Sequence, residues 1–307
     1  MTAIRKISIV GAGAMGAAYA AMFTDAANFS VSFVARGERY ERLKNKTLTV
    51  NDRLYHVPVV HPDKVSGPAD LILVALKHHH LAGAVGDIAA LVGKDTAILS
   101  VMNGLESEKT IAAACGMDKL VYAVAVGIDA IHENDRFTYA NPGKIIFGPI
   151  GNSGHGPQLD RIEEALNRAG IPNEVPVDMI RAMWWKFMIN VGINQASAVL
   201  RAPYGVFQSS PDARALIRSL MEEVVTLAKK AGIGLTEKDI DEWGIIMNHL
   251  SPTGKTSMLQ DVEAGRKTEV ELFAGKVVAL GKKYHAPTPV NETILRIIKV
   301  IESRSGV

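Results

Sequence analysis

Three polar side chains recur at intervals of four residues in an otherwise apolar segment, "WWKFMINVGIN" (184–194). On a helix, this spacing places Lys186, Asn190 and Asn194 along one face. Burying an unpaired amide costs roughly 1–3 kcal/mol, and burying an ammonium costs more. The pattern therefore indicates a polar cleft, where a desolvated lysine can donate a proton near neutral pH and amides can bind a carboxylate or hydroxyl. The alternative is a lysine that reaches solvent beside two amides that bond to neighbouring helices.

A second polar segment, "SPTGKTSMLQDVEAGRKTEVE" (251–271), offers Ser257 and Glu269 as further site candidates. Glu269 follows Thr268 at a point where the pattern predicts that a helix restarts. An acidic residue is favourable at a helix N-terminus. The local pattern is equally consistent with a capping acid in a charged loop.

A glycine motif near the start of the chain predicts a dinucleotide site. Gly11, Gly13 and Gly16 follow a short β-branched run and precede an alanine-rich stretch, which is the strand-to-helix context that G-x-G-x-x-G requires. The first glycine permits a tight turn, the second lets a pyrophosphate approach the backbone, and the third lets the helix pack on the strand. The residues expected to bind the cofactor here are Gly11, Ala12, Gly13, Ala14, Met15 and Gly16.

The end of the next predicted strand (31–35) indicates which dinucleotide binds. NAD-binding chains carry an acid at this point, whereas this chain has Arg36, with Arg39 just beyond and Glu38 nearby. A guanidinium pairs with a 2′-phosphate that an acid would repel, so the sequence favours NADPH. A solvated surface arginine is the alternative.

Two later strand candidates also end in polar residues. "DLILVALK" ends in Lys77, and "AILSVMNG" leads to Asn103. Ligands of parallel sheets bind at the carboxyl ends of the strands, so Lys77 is expected near cofactor or substrate and Asn103 near the nicotinamide. Ordinary solvation of the lysine and a structural turn at the asparagine fit the local pattern too.

Periodicity divides the chain into two parts. Apolar strand-like runs alternate with helices in the first half, and "ANPGKIIFGPIG" predicts an antiparallel addition at the sheet edge. From about residue 177 helical periodicity prevails. We therefore predict an α/β Rossmann-type N-terminal domain (1–176) and a second, all-helical C-terminal domain (177–307).

Composition excludes several classes of protein. The net charge of +2 gives no electrostatic case for a nucleic-acid or membrane partner. The single cysteine, Cys115, forbids an internal disulfide, and the run His78 to His80 lacks ligand spacing, so no metal is predicted. The sequence shows no signal-peptide pattern and no long apolar span, which predicts a cytoplasmic location.

The glycine loop, "LK" at Lys77, "NG" at Asn103, "WWKFMINVGIN" and "SMLQDVEAGRKTEVE" together resemble the ketopantoate reductase (2-dehydropantoate 2-reductase) family over nearly the whole chain. The resemblance implies NADPH-dependent reduction of ketopantoate to pantoate, a step toward pantothenate and coenzyme A. It also implies an active site in a cleft between a Rossmann-type and a helical domain. Lys186 stands at the family's general acid and Glu269 at an acid that contacts substrate hydroxyl or cofactor.

The other positions carried over by the resemblance have binding roles. They are Asn190, Asn194 and Ser257 for the substrate, Lys77 and Asn103 for cofactor or active site, and Arg36 for the 2′-phosphate. Tyr204 stands where the family has a further substrate-contacting asparagine, and Gly127-Ile128 replaces a Gly-Ala or Ala-Ala pair. These departures leave open a reductase of another branched 2-oxo acid, and a non-catalytic NADP-binding regulator is the alternative of a different class. A homodimer through the helical domain is possible on this pattern.

Overall fold

The computed structural model describes residues 2–133, 136–149 and 156–306. It divides into two compact units, Met1–Ala182 and Met183–Val307. The predicted domain boundary after residue 176 stays a prediction.

The first unit alternates strands and helices. Its strands are β1 (Lys6–Val10), β2 (Ser30–Val34), β3 (Leu48–Val50), β4 (Arg53–Tyr55), β5 (Val59–Val60), β6 (Leu71–Val74), β7 (Ala97–Ser100), β8 (Leu120–Val126), β9 (Ile131–Glu133), β10 (Arg136–Thr138), β11 (Lys144–Gly148) and β12 (Asn173–Glu174). Its helices are α1 (Ala14–Asp25), α2 (Gly37–Leu43), α3 (His78–Ala89), α4 (Ser107–Cys115) and α5 (Pro157–Arg168).

The main sheet has the strand order β12-β11-β8-β7-β6-β1-β2-β5. Its six strands from β5 to β8 run parallel, in the order 3-2-1-4-5-6 of a Rossmann fold. The continuous apolar run of β6 is buried at every position, as expected when helices cover both faces of a sheet. The predicted α/β Rossmann-type architecture is confirmed. The strand order reverses beside β1, so the loops that follow β1, β2 and β6 meet at the edge where such folds bind ligands.

Two features of the first unit differ from expectation. Strand β11 is antiparallel to β8 as predicted, but the two-residue strand β12 lies outside it, so β11 is not the edge. Residues 150 and 151, which end the segment predicted for this addition, lie outside the described ranges. The second difference is a small sheet, β4-β3-β10-β9, that the periodicity did not reveal. Val50 and Phe137 of this sheet are buried in the same core as Phe23 of α1.

The second half of the chain is helical, as predicted. Its elements are α6 (Met179–Ile189), a first π-helical turn (Asn190–Asn194), α7 (Gln195–Leu200), α8 (Tyr204–Ser209), α9 (Pro211–Lys230), α10 (Glu237–Asn248), α11 (Ser257–Glu263), a second π-helical turn (Glu271–Gly275), α12 (Lys276–Tyr284) and α13 (Pro289–Arg304). Both π turns and the short helix α8 were absent from the sequence-based prediction.

The core of the helical unit forms around α9. Ile217, Leu220, Val224 and Leu227 recur at helical spacing and are buried. Truncating a fully buried leucine such as Leu220 to alanine would cost about 2–5 kcal/mol of stability. The first π turn packs here, since a Cβ on Gly192 would lie only 2.5 Å from Cε of Met221.

Candidate active site

Two of the three motif glycines are required by the protein's own packing. Gly11 has φ +119°, and a Cβ there would lie 2.3 Å from the carbonyl oxygen of Ala75. A Cβ on Gly16 would lie 1.8 Å from the carbonyl oxygen of Gly11. A side chain at Gly11 would therefore push the turn away from the backbone that follows β6, and one at Gly16 would push α1 away from the turn after β1.

Gly13 is different, because nothing in the protein demands a glycine there. It is the N-cap of α1 with an ordinary φ of −87°, and a Cβ would meet no atom within 4 Å. No side chain caps α1, and its first turn carries no acid. Backbone N–H groups and the positive end of the helix dipole are thus available to a phosphate. Ala12, Ala14 and Met15 beside it are half-buried.

The structure places the other predicted cofactor residues at the carboxyl ends of parallel strands. Arg36 follows β2 and precedes α2, Lys77 follows β6 and is the N-cap of α3, and Asn103 follows β7. Lys77 and Asn103 are half-buried. Because β2 and β6 both pair with β1, Arg36 and Lys77 lie on either side of the glycine loop.

The Arg36 side chain is half exposed and bonded to two carboxylates. Its Nη2 lies 2.9 Å from Oδ1 of Asp63, and its Nε lies 2.8 Å from Oδ1 of Asp87. These partners raise the pKa of the guanidinium, Asp87 having the larger effect. Neither acid was expected from the sequence, since they lie 27 and 51 residues further along the chain.

Arg39, on α2, has different surroundings from Arg36. Its side chain is half-buried, and within the described ranges it forms no ion pair or hydrogen bond. Burial, and secondarily Arg42, lowers its pKa. Burial, then Arg39 and Lys77, lowers the pKa of His80, so these three groups lie close enough to interact. A half-buried cation without a counterion, in a positive field, is suited to bind an anion.

Lys186 lies on α6 between the buried side chains of Trp184 and Phe187. It is half-buried, and in the part of the chain that the structure describes its Nζ forms no hydrogen bond or ion pair. Burial lowers the pKa of the amine to about 8. Desolvation disfavours the charged form, so this lysine loses its proton more readily than an exposed one.

Asn190 and Asn194 are buried and touch one another, with Nδ2 of Asn194 donating to Oδ1 of Asn190 at 3.5 Å. They bound the first π turn. A π turn closes its hydrogen bonds one residue later than an α turn and so absorbs one extra residue. At about 100° per residue, Asn194 then lies about 20° around the helix from Lys186, rather than about 80° in a regular helix. The π turn therefore brings Asn194 closer to the Lys186 side of the helix than a regular helix would.

Ser257 and Glu269 lie on a separate segment of the same unit. Ser257 is the exposed first residue of α11, which Thr256 caps by accepting a hydrogen bond from the Leu259 N–H at 3.2 Å. Glu269 is half-buried just before the second π turn, and its carbonyl oxygen accepts from the Leu272 N–H at 2.9 Å. Glu269 thus stands where a helical segment restarts, as predicted.

Tyr204, at the start of α8, packs on the loop that precedes Ser257. Its N–H donates to the carbonyl oxygen of Gly254 at 3.0 Å, and its ring would lie 3.0 Å from a Cβ on Gly254. Burial raises the pKa of its phenol. In the described ranges its hydroxyl has no hydrogen-bond partner.

Metal and membrane features were searched across the described residues. No group of three or more histidine, cysteine or acidic side chains there is arranged to hold a metal ion. Within those residues, the helices are too short or too polar to traverse a bilayer.

A parallel sheet of this order with a glycine-rich first loop defines a Rossmann-type fold, here followed by an all-helical second part. The chain belongs to the ketopantoate reductase PanE/ApbA family: the family model matches residues 7–152, and the model of its C-terminal part matches residues 178–302.

Individual proteins resemble the chain over nearly its full length. The 2-dehydropantoate 2-reductase of Aquifex aeolicus is 26% identical, with 97% of each chain covered. A crystal structure of 2-dehydropantoate 2-reductase from Geobacter metallireducens is 26% identical with a TM-score of 0.85, covering 96% of this chain and 99% of the other. A complex of D-mandelate dehydrogenase with NADH has a TM-score of 0.88 at 21% identity, covering 97% and 99%, and so shares the fold.

Proposed function

We propose that the protein is an NADPH-dependent 2-dehydropantoate 2-reductase that reduces the C2 carbonyl of ketopantoate to the hydroxyl of pantoate, in the biosynthesis of pantothenate and coenzyme A. The observation that carries this proposal is the half-buried Lys186 amine with a pKa of about 8, above two buried amides that touch each other. Family membership and the named reductases among the relatives support the choice of substrate.

Lys186 is the proposed general acid. The carbonyl oxygen gains negative charge as a hydride adds to C2, and the ammonium stabilises that charge and transfers its proton to the oxygen. The amine left behind regains a proton from water. With a pKa of about 8, Lys186 is mostly protonated at neutral pH and still releases its proton readily.

The proposed substrate contacts come from side chains with matching chemistry. Asn190, Asn194 and Ser257 carry the donors that a carboxylate and a hydroxyl require. Glu269 is proposed to accept a hydrogen bond from a substrate hydroxyl or from the cofactor. Its placement before the second π turn fixes its backbone through the bonds from Leu272 and Phe273.

NADPH, when bound, supplies the hydride. The loop from Gly11 to Gly16 is proposed to hold the pyrophosphate, and Asn103 the nicotinamide end. The open space at Gly13 and the uncapped N–H groups of α1 fit this role. For the 2′-phosphate we propose Arg36 and Lys77, joined by Arg39. Arg36 must exchange a carboxylate partner to bind the phosphate, whereas Arg39 has none to displace within the described ranges.

A reductase of another branched 2-oxo acid is the second candidate. D-mandelate dehydrogenase shares the fold, so the fold alone selects neither the oxo acid nor the cofactor. Tyr204 favours this alternative, because its ring fills space beside the Ser251–Gly254 loop and it presents a phenol in place of an amide.

The decisive experiment is NADPH oxidation, followed by absorbance, with ketopantoate, 2-oxoisovalerate, phenylglyoxylate and pyruvate as substrates. We expect the highest kcat/KM with ketopantoate. A higher value with another acid would establish the second candidate. Binding of NADPH without turnover of any oxo acid would leave the non-catalytic regulator.

A further inference from the structure

The two π-helical turns are held by a single buried side chain, Gln195. It directly follows the first π turn and is 0% exposed. Its amide bonds to the backbone of both turns, which are far apart in sequence. We propose that Gln195 is a positioning residue that keeps both turns in π geometry and thereby holds Asn194 and Glu269 in place for the reaction.

At the first turn the side chain of Gln195 replaces a backbone donor. In a regular α-helix the Gln195 N–H would donate to the Val191 carbonyl, four residues back. Here that N–H donates to the carbonyl of Gly192 instead. The Nε2 of Gln195 donates to the Val191 oxygen at 2.7 Å, so the displaced carbonyl regains a partner.

At the second turn the same amide supplies an acceptor. The Val270 carbonyl accepts from the Gly275 N–H at 3.0 Å, the five-residue bond of a π turn. In an α-helix the Ala274 N–H would donate to the Val270 carbonyl. Here it donates instead to Oε1 of Gln195 at 2.9 Å. One amide thus bonds a backbone group in each of the two turns.

The orientation of the Gln195 amide is fixed by its surroundings. Its Nε2 also donates to Oδ1 of Asn291 at 3.1 Å. The Nδ2 of Asn291 donates to the Glu223 carboxylate at 2.7 Å and to the Leu220 carbonyl at 3.2 Å, and both of these groups only accept. A flipped amide at either residue would set acceptor against acceptor or donor against donor.

The consequence for the site is geometric. Without the side chain, the Val191 carbonyl loses the Nε2 donor and the buried Ala274 N–H loses its Oε1 acceptor, and relaxation to an α turn would restore a backbone partner to each. Relaxation of the first turn would rotate Asn194 by about 100° about the helix axis relative to Lys186. Relaxation of the second would alter the backbone bonds that Glu269 accepts.

The test compares Gln195→Leu with Ser197→Ala. Ser197 is also buried on α7, and its hydroxyl donates to the Ala202 carbonyl at 2.7 Å rather than to a group of either π turn. We expect Gln195→Leu to speed hydrogen exchange of the Ala274 amide and to lower kcat/KM for the 2-oxo acid by about 100-fold, the effect of a reacting group misplaced by an ångström. NADPH affinity, measured by fluorescence titration, should change by far less than 100-fold, because the proposed pyrophosphate and 2′-phosphate contacts are built within the first unit. Ser197→Ala should leave all three readouts at wild-type values.

A second variant serves if Gln195→Leu does not fold. In Gln195→Glu a protonated carboxyl can accept from Ala274 and donate to Val191, whereas an ionised one can only accept. We expect kcat/KM near the wild-type value at low pH and a fall through an added ionisation that the wild-type profile lacks.

The inference is overturned if Gln195→Leu exchanges Ala274 and turns over substrate as wild type does, or if Gln195→Glu shows the wild-type pH profile. The kinetic arm rests on the proposed function, but the exchange arm does not. A wild-type chain that reduces no 2-oxo acid would therefore refute the proposed function, while exchange at Ala274 would still decide the role of Gln195 in the two turns.

Discussion

The glycine loop of the first unit and the Lys186 face of the helical unit are built in contrasting ways. The loop spans six residues, and its own backbone already requires glycine twice, through the positive φ of Gly11 and the Gly11 carbonyl oxygen beside Gly16. The Lys186 face needs a π turn whose completing side chain bonds a backbone group 79 residues away. Local backbone geometry leaves a readable motif in the sequence, whereas geometry imposed by distant partners does not.

The largest effect on turnover is expected from a substitution in the helical unit. Lys186→Ala should lower kcat for 2-oxo acid reduction by about 10²–10⁴-fold, because the proton donor is lost, and NADPH should still bind. Steady-state kinetics and a fluorescence titration measure the two quantities.

Two further variants control this result. Lys186→Met keeps most of the side-chain volume and removes a charge that burial disfavours, so it should not lower the melting temperature. Lys282→Ala removes an exposed lysine of α12 and should leave turnover unchanged. Turnover of Lys186→Ala close to that of Lys282→Ala would remove Lys186 from the mechanism.

The glycine loop can be tested with a matched pair. Gly16→Val should destabilise the fold, because a Cβ would lie 1.8 Å from the Gly11 carbonyl oxygen. Gly13→Val should leave the melting temperature near wild type, since no protein atom lies within 4 Å of its Cβ. It should nevertheless weaken NADPH by about 10–100-fold if a pyrophosphate occupies that space, at about 1.4 kcal/mol for each factor of ten. Unchanged NADPH affinity in Gly13→Val would contradict the role of the loop.

Substitution of Arg36 or Arg39 tests whether the protein distinguishes NADPH from NADH. Arg39→Ala should weaken NADPH about tenfold or more and leave NADH unchanged, because a charged hydrogen bond to phosphate is worth about 1.5–3 kcal/mol. Arg36→Ala should have the same selectivity and a smaller effect, since Arg36 must first release a carboxylate. Dissociation constants for NADPH and NADH measure both. Equal losses for the two nucleotides would show that neither arginine reads the 2′-phosphate.

The smallest effect is a pH dependence. Lys186 must be protonated to act as an acid, and burial lowers its pKa to about 8. We expect kcat for reduction to be constant below about pH 7, to be halved near pH 8 and to fall further above it. The reverse oxidation of pantoate, which needs the neutral amine, should rise over the same range. A profile of Lys186→Ala that retained this limb would assign the ionisation to another group.

Most of the fold was predictable because its determinants are short-range. Strands β1, β2, β6 and β7 follow from apolar runs, and the helices α9 to α13 from periodicity and terminal proline or glycine residues. The small sheet was missed because β3, β4, β9 and β10 have three residues each, too few for alternation to stand out. The carboxylates on Arg36 were missed because Asp63 and Asp87 reach it only through the tertiary fold.

In the candidate site, too, local features were predictable from the sequence and long-range contacts were not. The spacing of Lys186, Asn190 and Asn194 predicted a shared helix face on the assumption of a regular helix. In a regular helix, however, each step of four residues moves the side chain about 40° around the axis. The π turn corrects that drift. Gln195 directly follows this segment, and its role is not predictable from the sequence, because nothing nearby indicates that its partner is Ala274.

The bond between Gln195 and Ala274 also limits how this lineage can diverge. A descendant that loses the amide at position 195 keeps an unpaired N–H in its interior unless the turn near 274 shortens by one residue. Substitution of Gln195 and deletion of one residue from the second π turn are therefore expected to occur together in evolution. Homologues that differ at position 195 should accordingly differ in length between the equivalents of Thr268 and Lys276.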